Sequence, residues 1–366
     1  MSLLNREVFW PPADELVEVA ERIRARLGDW PTADTRWRIC LTAPETPQAT
    51  DLIVFTEARD ADVDAERLTK QGAAVLDAHE ERTVLRRGGE RFALEGARSD
   101  DWLAALAAFL DCNFEPHDAL VLALAWRAGD EARTDAWPVD FATFPRVADL
   151  PPAPEGGFAP CPDRLGLYPV LPDAAWVERV LDLGVRTAQL RRKSTASDTP
   201  AVLREQIARS VDAGRRHGAQ LFINDHWREA IAAGAYGVHL GQEDVQTADL
   251  NAIARAGVRL GLSTHGYYEM LRALHFRPSY LALGAVFPTT TKVMPTKPQG
   301  LARLARYVQL LSGRVPLVAI GGIDARAMPG VLATGIGSGA VVRAVTEAPD
   351  IAAAVSTLQQ MFDGQP

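Results

Sequence analysis

Two carboxylates, Asp225 and Asp244, each follow a short apolar run, and a single helical stretch separates the runs. The segment from Ala219 to Asp244 reads AQLFINDHWREAIAAGAYGVHLGQED. Its first run ends in Asn224-Asp225, a helical stretch over Trp227–Ala233 is broken by Gly234, and a second run, Gly237–Leu240, ends in Gly241-Gln242-Glu243-Asp244. Strand, helix and strand with short connections require parallel strands, so both acidic endings fall at the carboxyl edge of one sheet. Carboxylates at close range repel unless a proton, a base or a hard cation relieves them. Oxygen donors at an open sheet edge suit Mg²⁺, which takes one or two carboxylates and fills its remaining positions with phosphate oxygens and water. The plainer alternative is that Asp225 caps the following helix and Asp244 sits in a polar loop.

Other apolar runs end in residues with matching chemistry. Run 187–190 leads into Gln189-Leu190-Arg191-Arg192-Lys193. Alternation sets Gln189, Arg191 and Lys193 on one side, an amide and two cations able to clamp a polyphosphate. Run 259–262 leads into Ser263, Thr264 and His265, and run 280–287 into Pro288-Thr289-Thr290-Thr291-Lys292. Hydroxyls and an ammonium in that order suit phosphate oxygens. Run 316–320 ends at Gly321-Gly322, where a ligand can approach backbone N–H groups, and run 340–342 ends at Arg343. The inventory describes two phosphorylated small-molecule substrates, one a diphosphate held by Mg²⁺. No Ser–His–Asp triad, reactive Cys or Schiff-base Lys is visible by context, so cation-assisted departure of diphosphate is expected rather than covalent catalysis. His239, on a run among apolar neighbours, is expected as a hydrogen-bonded core residue rather than a metal ligand.

These residues need a scaffold that gathers strand ends. Apolar runs at 166–171, 187–190, 221–223, 237–240, 259–262, 280–287, 316–320 and 340–342 alternate with helical stretches at 174–183, 201–217, 227–233, 247–256, 268–275, 301–311, 325–333 and 351–362. Repeated βα units of this number predict an α/β fold, a (β/α)8 TIM barrel, with its site at the carboxyl ends of the strands and phosphate held after the seventh and eighth. A doubly wound open sheet is disfavoured, since no GxGxxG follows the first run.

The chain of 366 residues favours two domains. Residues 1–150 predict a smaller accessory α/β domain: a helix over 13–27, short strands at 39–42, 52–55 and 74–76, a hairpin over 83–92, and helices over 101–109 and 118–127. His79 and His117 read as solvated there. Residues 151–162, PPAPEGGFAPCP, read as a linker, and 163–366 as the barrel. A net charge of −8 argues against non-specific nucleic-acid binding. Cys40, Cys112 and Cys161 form no CxxC pair, which fits a reducing cytoplasm. No signal-peptide pattern opens the chain and no apolar run approaches membrane-spanning length. A homo-oligomer is left open.

The motifs QLRRK, IND, GVHLGQED, GLSTH, PTTTK after GAVF, and VAIGGI, in this order and spacing, resemble thiamine phosphate synthase across roughly residues 165–362. The resemblance implies joining of hydroxymethylpyrimidine diphosphate to thiazole ethyl phosphate with release of diphosphate. It implies that Gln189, Arg191, Lys193 and Asn224 hold the pyrimidine diphosphate and that Asp225 and Asp244 bind Mg²⁺. Ser263 would lie against the pyrimidine and diphosphate, Lys292 would bind diphosphate oxygens, and Thr289, Thr291 and Gly322 would bind the thiazole phosphate. Arg343 departs from the family's usual small hydroxyl residue and is expected to give that phosphate a charge-assisted bond. The stretch from Gly96 to Gly129 resembles the C-terminal part of ribokinase-like kinases, including hydroxymethylpyrimidine phosphate kinase. Asp100 stands where the catalytic Asp would, but Ala97, Arg98 and Ser99 replace the phosphate-cradling glycines, so no kinase activity is expected. Two rivals remain: a thiazole tautomerase-like barrel using His265, and a non-catalytic thiamine-phosphate sensor.

Overall fold

The computed structural model describes residues 3, 6–56, 61–129, 135–193, 199–290 and 296–363. It divides into two compact units, Met1–Pro151 and Pro152–Pro366.

The first unit carries a seven-stranded sheet in sequence order: β1 (Phe9–Trp10), β2 (Arg38–Cys40), β3 (Asp51–Phe55), β4 (Ala74–His79), β5 (Arg82–Arg87), β6 (Glu90–Glu95) and β7 (Arg146–Val147). Pairing is parallel from β1 to β4 and antiparallel from β4 to β7. The helices Trp102–Asp111 and Pro116–Ala125 are apolar almost throughout and wholly buried along much of their length, which makes them the core layer of this unit. Asp111 closes the first of them as a buried carboxylate held by Arg6 at 2.6 Å and Arg24 at 3.0 Å. The helix Ala61–Lys70 escapes sequence reading because ADVDAERLTK is mostly polar. His117 is not solvated as expected: it opens a helix and stacks on Phe92 with centroids 4.6 Å apart.

The second unit is a closed barrel of eight parallel strands: β8 (Gly166–Leu171), β9 (Thr187–Leu190), β10 (Gln220–Asn224), β11 (Gly237–Leu240), β12 (Arg259–Thr264), β13 (Tyr280–Leu283), β14 (Leu317–Ala319) and β15 (Ser338–Val341). Each expected run holds a strand, although the one expected over 280–287 ends at Leu283, and β15 pairs back with β8, Ser338 against Gly166. The stretch expected as one helix over 247–256 is two, Asp244–Thr247 and Leu250–Arg255, because the Asp249 carboxylate accepts from the Ala252 N–H and starts a new helix. A short helix, Arg343–Thr346, follows β15 without having been legible in the sequence. Among the described residues no helix is long and apolar enough to cross a membrane.

The barrel interior is packed with Leu165, Tyr168, Val170, Phe222, Tyr280, Ala282, Val318 and Ala340. Phe222 meets Tyr280 at 5.0 Å and Tyr236 at 5.5 Å, both edge to face. Residues 152–162, most of the stretch expected as a linker over 151–162, pass the amino-terminal ends of the strands. There the carbonyls of Pro154, Ala159 and Pro160 accept hydrogen bonds from Arg277, Ser279 and Arg259.

Two outcomes are expected. Phe222→Ala removes the ring at the centre of the barrel and should cost the unfolding of this unit about 3–5 kcal/mol, read by denaturant titration. Burial pushes the thiols of Cys40 and Cys161 up to about 12 by disfavouring the thiolate. Both should resist iodoacetamide at pH 8 in the folded chain and react once it is unfolded.

Candidate active site

One cavity of about 680 Å³ opens at the carboxyl ends of the barrel strands, and Gln189, Arg191, Asn224, Asp225, Asp244, Ser263, Thr289, Gly322 and Arg343 all line it. These residues come from the ends of β9 to β12 and the loops after β13, β14 and β15. Lys193 is exposed beyond the end of β9 and is not among the lining residues. Thr291 and Lys292 lie outside the described residues.

Backbone geometry explains how the mouth is built. The Arg191 N–H donates to the Leu171 carbonyl at 2.7 Å, extending the ladder past Leu190 and holding Arg191 at the rim. The Asp225 N–H donates to the His239 carbonyl at 3.0 Å, after which the chain turns sharply with Asp225 at φ 63°. Asp and Asn tolerate that left-handed conformation better than most side chains. The following helix takes His226 rather than Asp225 as its N-cap, with no side-chain bond from that cap. Asp244 accepts from the Gly241 N–H through Oδ2 at 3.0 Å, so the loop itself presents this carboxylate to the cavity. Gln242 donates to the Ser263 carbonyl at 2.7 Å and ties the exit of β11 to that of β12.

The loops after β13 and β14 run against each other. Phe287 N–H donates to the Gly321 carbonyl at 3.0 Å. Gly322 has φ +67°, and a Cβ there would fall 2.5 Å from the Pro288 carbonyl oxygen. Only glycine lets the two backbones meet at this point. Arg343, exposed at the cavity edge, opens the short helix after β15.

Beneath the mouth lies a chain of polar contacts that sequence reading missed. Gln189 Nε2 donates to the Tyr168 hydroxyl at 3.1 Å, and the two phenol oxygens of Tyr168 and Tyr280 are 2.8 Å apart. The Tyr280 hydroxyl meets His239 Nδ1 at 2.7 Å, and His239 Nε2 meets Ser263 Oγ at 2.8 Å. His239 is thus the hydrogen-bonded core residue expected, and it also lines the cavity. Burial holds both phenols well above their ordinary pKa, so each keeps its hydrogen. The two tyrosines sit in runs of apolar residues; the available signal was that a buried phenol needs a partner. His265 also lines the cavity, its Nδ1 2.7 Å from Glu269 Oε2.

Asp225 and Asp244 bring two hard oxygen donors to one cavity, a pair of the type that could take a magnesium ion; among the described residues there is no group of three His, Cys, Asp or Glu side chains that could hold a metal. Such a pair leaves the remaining positions to phosphate oxygens and water, as Mg²⁺ prefers.

A closed eight-stranded parallel barrel with a polar cavity at its carboxyl end defines the (β/α)8-barrel class, whose members carry their active sites at that end. The family profile described as thiamine monophosphate synthase matches residues 167–345. The chain is 53% identical over 208 residues to the thiamine-phosphate synthase of Pectobacterium atrosepticum, covering 57% of this chain and 96% of that one. It is 56% identical over 207 residues to that of Neisseria meningitidis, covering 57% and 99%. The solved thiamine phosphate pyrophosphorylase from Pyrococcus furiosus is 30% identical, with 55% of this chain and 96% of that one covered at a TM-score of 0.48. The chain belongs to the thiamine-phosphate synthase family and is a transferase.

Gly322→Ala should lower kcat/KM at least about 100-fold, because the added carbon must push apart the two loops that shape the mouth. Steady-state kinetics on the folded variant would read it.

Proposed function

We propose that this chain joins 4-amino-2-methyl-5-hydroxymethylpyrimidine diphosphate to thiazole ethyl phosphate, giving thiamine phosphate and diphosphate. The observation that carries the reading is the single cavity lined by both carboxylates, Arg191, Ser263, Thr289, Gly322 and Arg343.

In this mechanism the bond between the pyrimidine methylene carbon and the diphosphate oxygen breaks first, and the electron pair leaves with diphosphate. The methylene cation is stabilised by the ring's amino group. Arg191 stands where charge builds on the leaving oxygens, and Lys193 and Lys292 add positive charge from the flanking segments. Asp225 and Asp244 would hold Mg²⁺, whose charge, when bound, neutralises part of the diphosphate. Gln189, Asn224 and Ser263 orient the pyrimidine. Thr289, Thr291, Gly322 and Arg343 grip the thiazole phosphate so that the ring nitrogen faces the cation and closes the new C–N bond. The protein contributes position and preorganised charge, with no covalent intermediate on the chain. A cytoplasmic setting suits the free thiols, and neither nucleic acid nor membrane is a partner in this reading; a homo-oligomer is compatible with it. Residues 1–150 act as an accessory domain without phosphoryl transfer, since Ala97, Arg98 and Ser99 take the place of cradle glycines.

The test is diphosphate release by the full chain with both substrates, with Mg²⁺ and with chelator. Release that needs both substrates and stops with chelator is expected; release from neither condition would end the reading. Arg343→Ala should raise the KM for the thiazole phosphate about tenfold or more while leaving that for the pyrimidine diphosphate near its starting value.

A further inference from the structure

One acid–base pair at the mouth has no part in the mechanism above. His265 follows β12, and Glu269 is the third residue of the next helix, Tyr267–His275. A single carboxylate oxygen, Glu269 Oε2, accepts twice: from the His265 backbone N–H at 2.8 Å and from the ring's Nδ1 at 2.7 Å. An ionised carboxylate can only accept, so the hydrogen of the ring contact belongs to Nδ1. Ser263 turns inward to His239, and His265, two residues on, falls on the same side. Its side chain is 13% exposed and lines the cavity, whereas Glu269 is not among the lining residues. The other ring nitrogen, Nε2, has no partner among the described residues and is the edge left for a ligand. Carboxylate behind, imidazole between and open space in front is the order that lets a histidine exchange a proton with a ligand. The carboxylate fixes the ring's orientation and tautomer, and Nε2 does the exchange.

Place on the rim decides which ligand group the ring meets. Arg191, Asp225 and Asp244 stand past the ends of β9, β10 and β11, three neighbouring strands, and His265 stands past the end of the next, β12. Thr289 follows β13, on the far side of it. The ring therefore borders the arc that takes the diphosphate, between that arc and the grip on the thiazole phosphate. We infer that His265 is a catalytic residue, the general acid that protonates diphosphate as it departs, and that Glu269 is the positioning residue that aims it. This rests on the reaction given above. As the bond from the methylene carbon to oxygen breaks, its electron pair goes to diphosphate. The Nε2 proton moves to a diphosphate oxygen, and the ring is left neutral with its hydrogen on Nδ1. Solvent returns a proton to Nε2 once the products have gone.

The experiment follows single-turnover release of the leaving group by the full chain from three pyrimidine substrates. These are the diphosphate and two bisphosphonates with CH2 or CF2 in place of the oxygen between the phosphorus atoms. The CF2 group makes the leaving group a weaker base, which needs a proton less. In the wild type the two bisphosphonates should react within about threefold of each other. His265→Gln keeps a hydrogen-bonding side chain that cannot transfer a proton. It should slow diphosphate release at least about 100-fold and the CH2 compound at least about tenfold more than the CF2 compound. The thiazole phosphate concentration that gives half the maximal rate should not change. Glu269→Gln, which still offers Nδ1 an oxygen, should keep more of the rate than Glu269→Ala. Equal slowing of both bisphosphonates in His265→Gln would overturn the inference. So would an unchanged maximal rate with a raised thiazole phosphate requirement, which would put His265 on the other phosphate. The wild type gives a reading that needs no variant: a CH2 compound more than about 30-fold behind the CF2 compound would show that the leaving group departs unprotonated. In each of these cases wild-type release still upholds the reaction, whereas no release from any of the three substrates would remove the reaction and the acid together.

Discussion

Closure of the barrel is the constraint on which the rest depends. Ser338 pairs with Gly166, and the seam is stitched by side chains as well: the Leu165 N–H donates to Ser338 Oγ at 2.8 Å, and the Thr187 hydroxyl donates to the Leu165 carbonyl at 2.8 Å. A closed sheet has no edge to protect, and every strand ends at the same rim. Closing also obliges the interior to be filled. Tyr168, Phe222 and Tyr280 fill the floor, whereas Ala282, Gly284, Ala285 and Ala340 line the space above it. The cavity exists because large side chains give way to small ones toward the carboxyl end.

Filling a barrel with tyrosines brings polar atoms into an apolar interior, where an unmatched hydroxyl is costly. The interior answers by joining Tyr168 and Tyr280 to Gln189 on one side and to His239 and Ser263 on the other. Packing and the polar wall of the cavity are therefore not separable at the floor of this site. The same hydroxyls that let aromatic rings occupy the core also set the orientation of two residues facing the ligand space.

Much of this was legible in the sequence, for identifiable reasons. The eight strand runs were visible because parallel strands buried on both faces read as unbroken apolar stretches. Asp225, Asp244 and Gly322 stood out because acids and glycines at strand exits are costly without a purpose. The Tyr168–Tyr280 contact was not legible, since it joins residues 112 positions apart whose partnership only closure creates. The helix Ala61–Lys70 stayed hidden because few of its residues are apolar, and the break near Asp249 because a cap competes with periodicity at short range. His117 was misjudged because charged neighbours in sequence say little about Phe92, which reaches this helical residue from strand β6.

The proline- and glycine-rich stretch before β8 has a consequence for where this protein can be divided. Its carbonyls satisfy Arg259, Arg277 and Ser279 at the amino-terminal end of the barrel, and the division between the compact units falls at Pro151 and Pro152. A cut placed at the first apolar run would take three carbonyl acceptors away from two guanidinium groups and a hydroxyl at the foot of the barrel, so the second unit is whole only when it keeps this stretch.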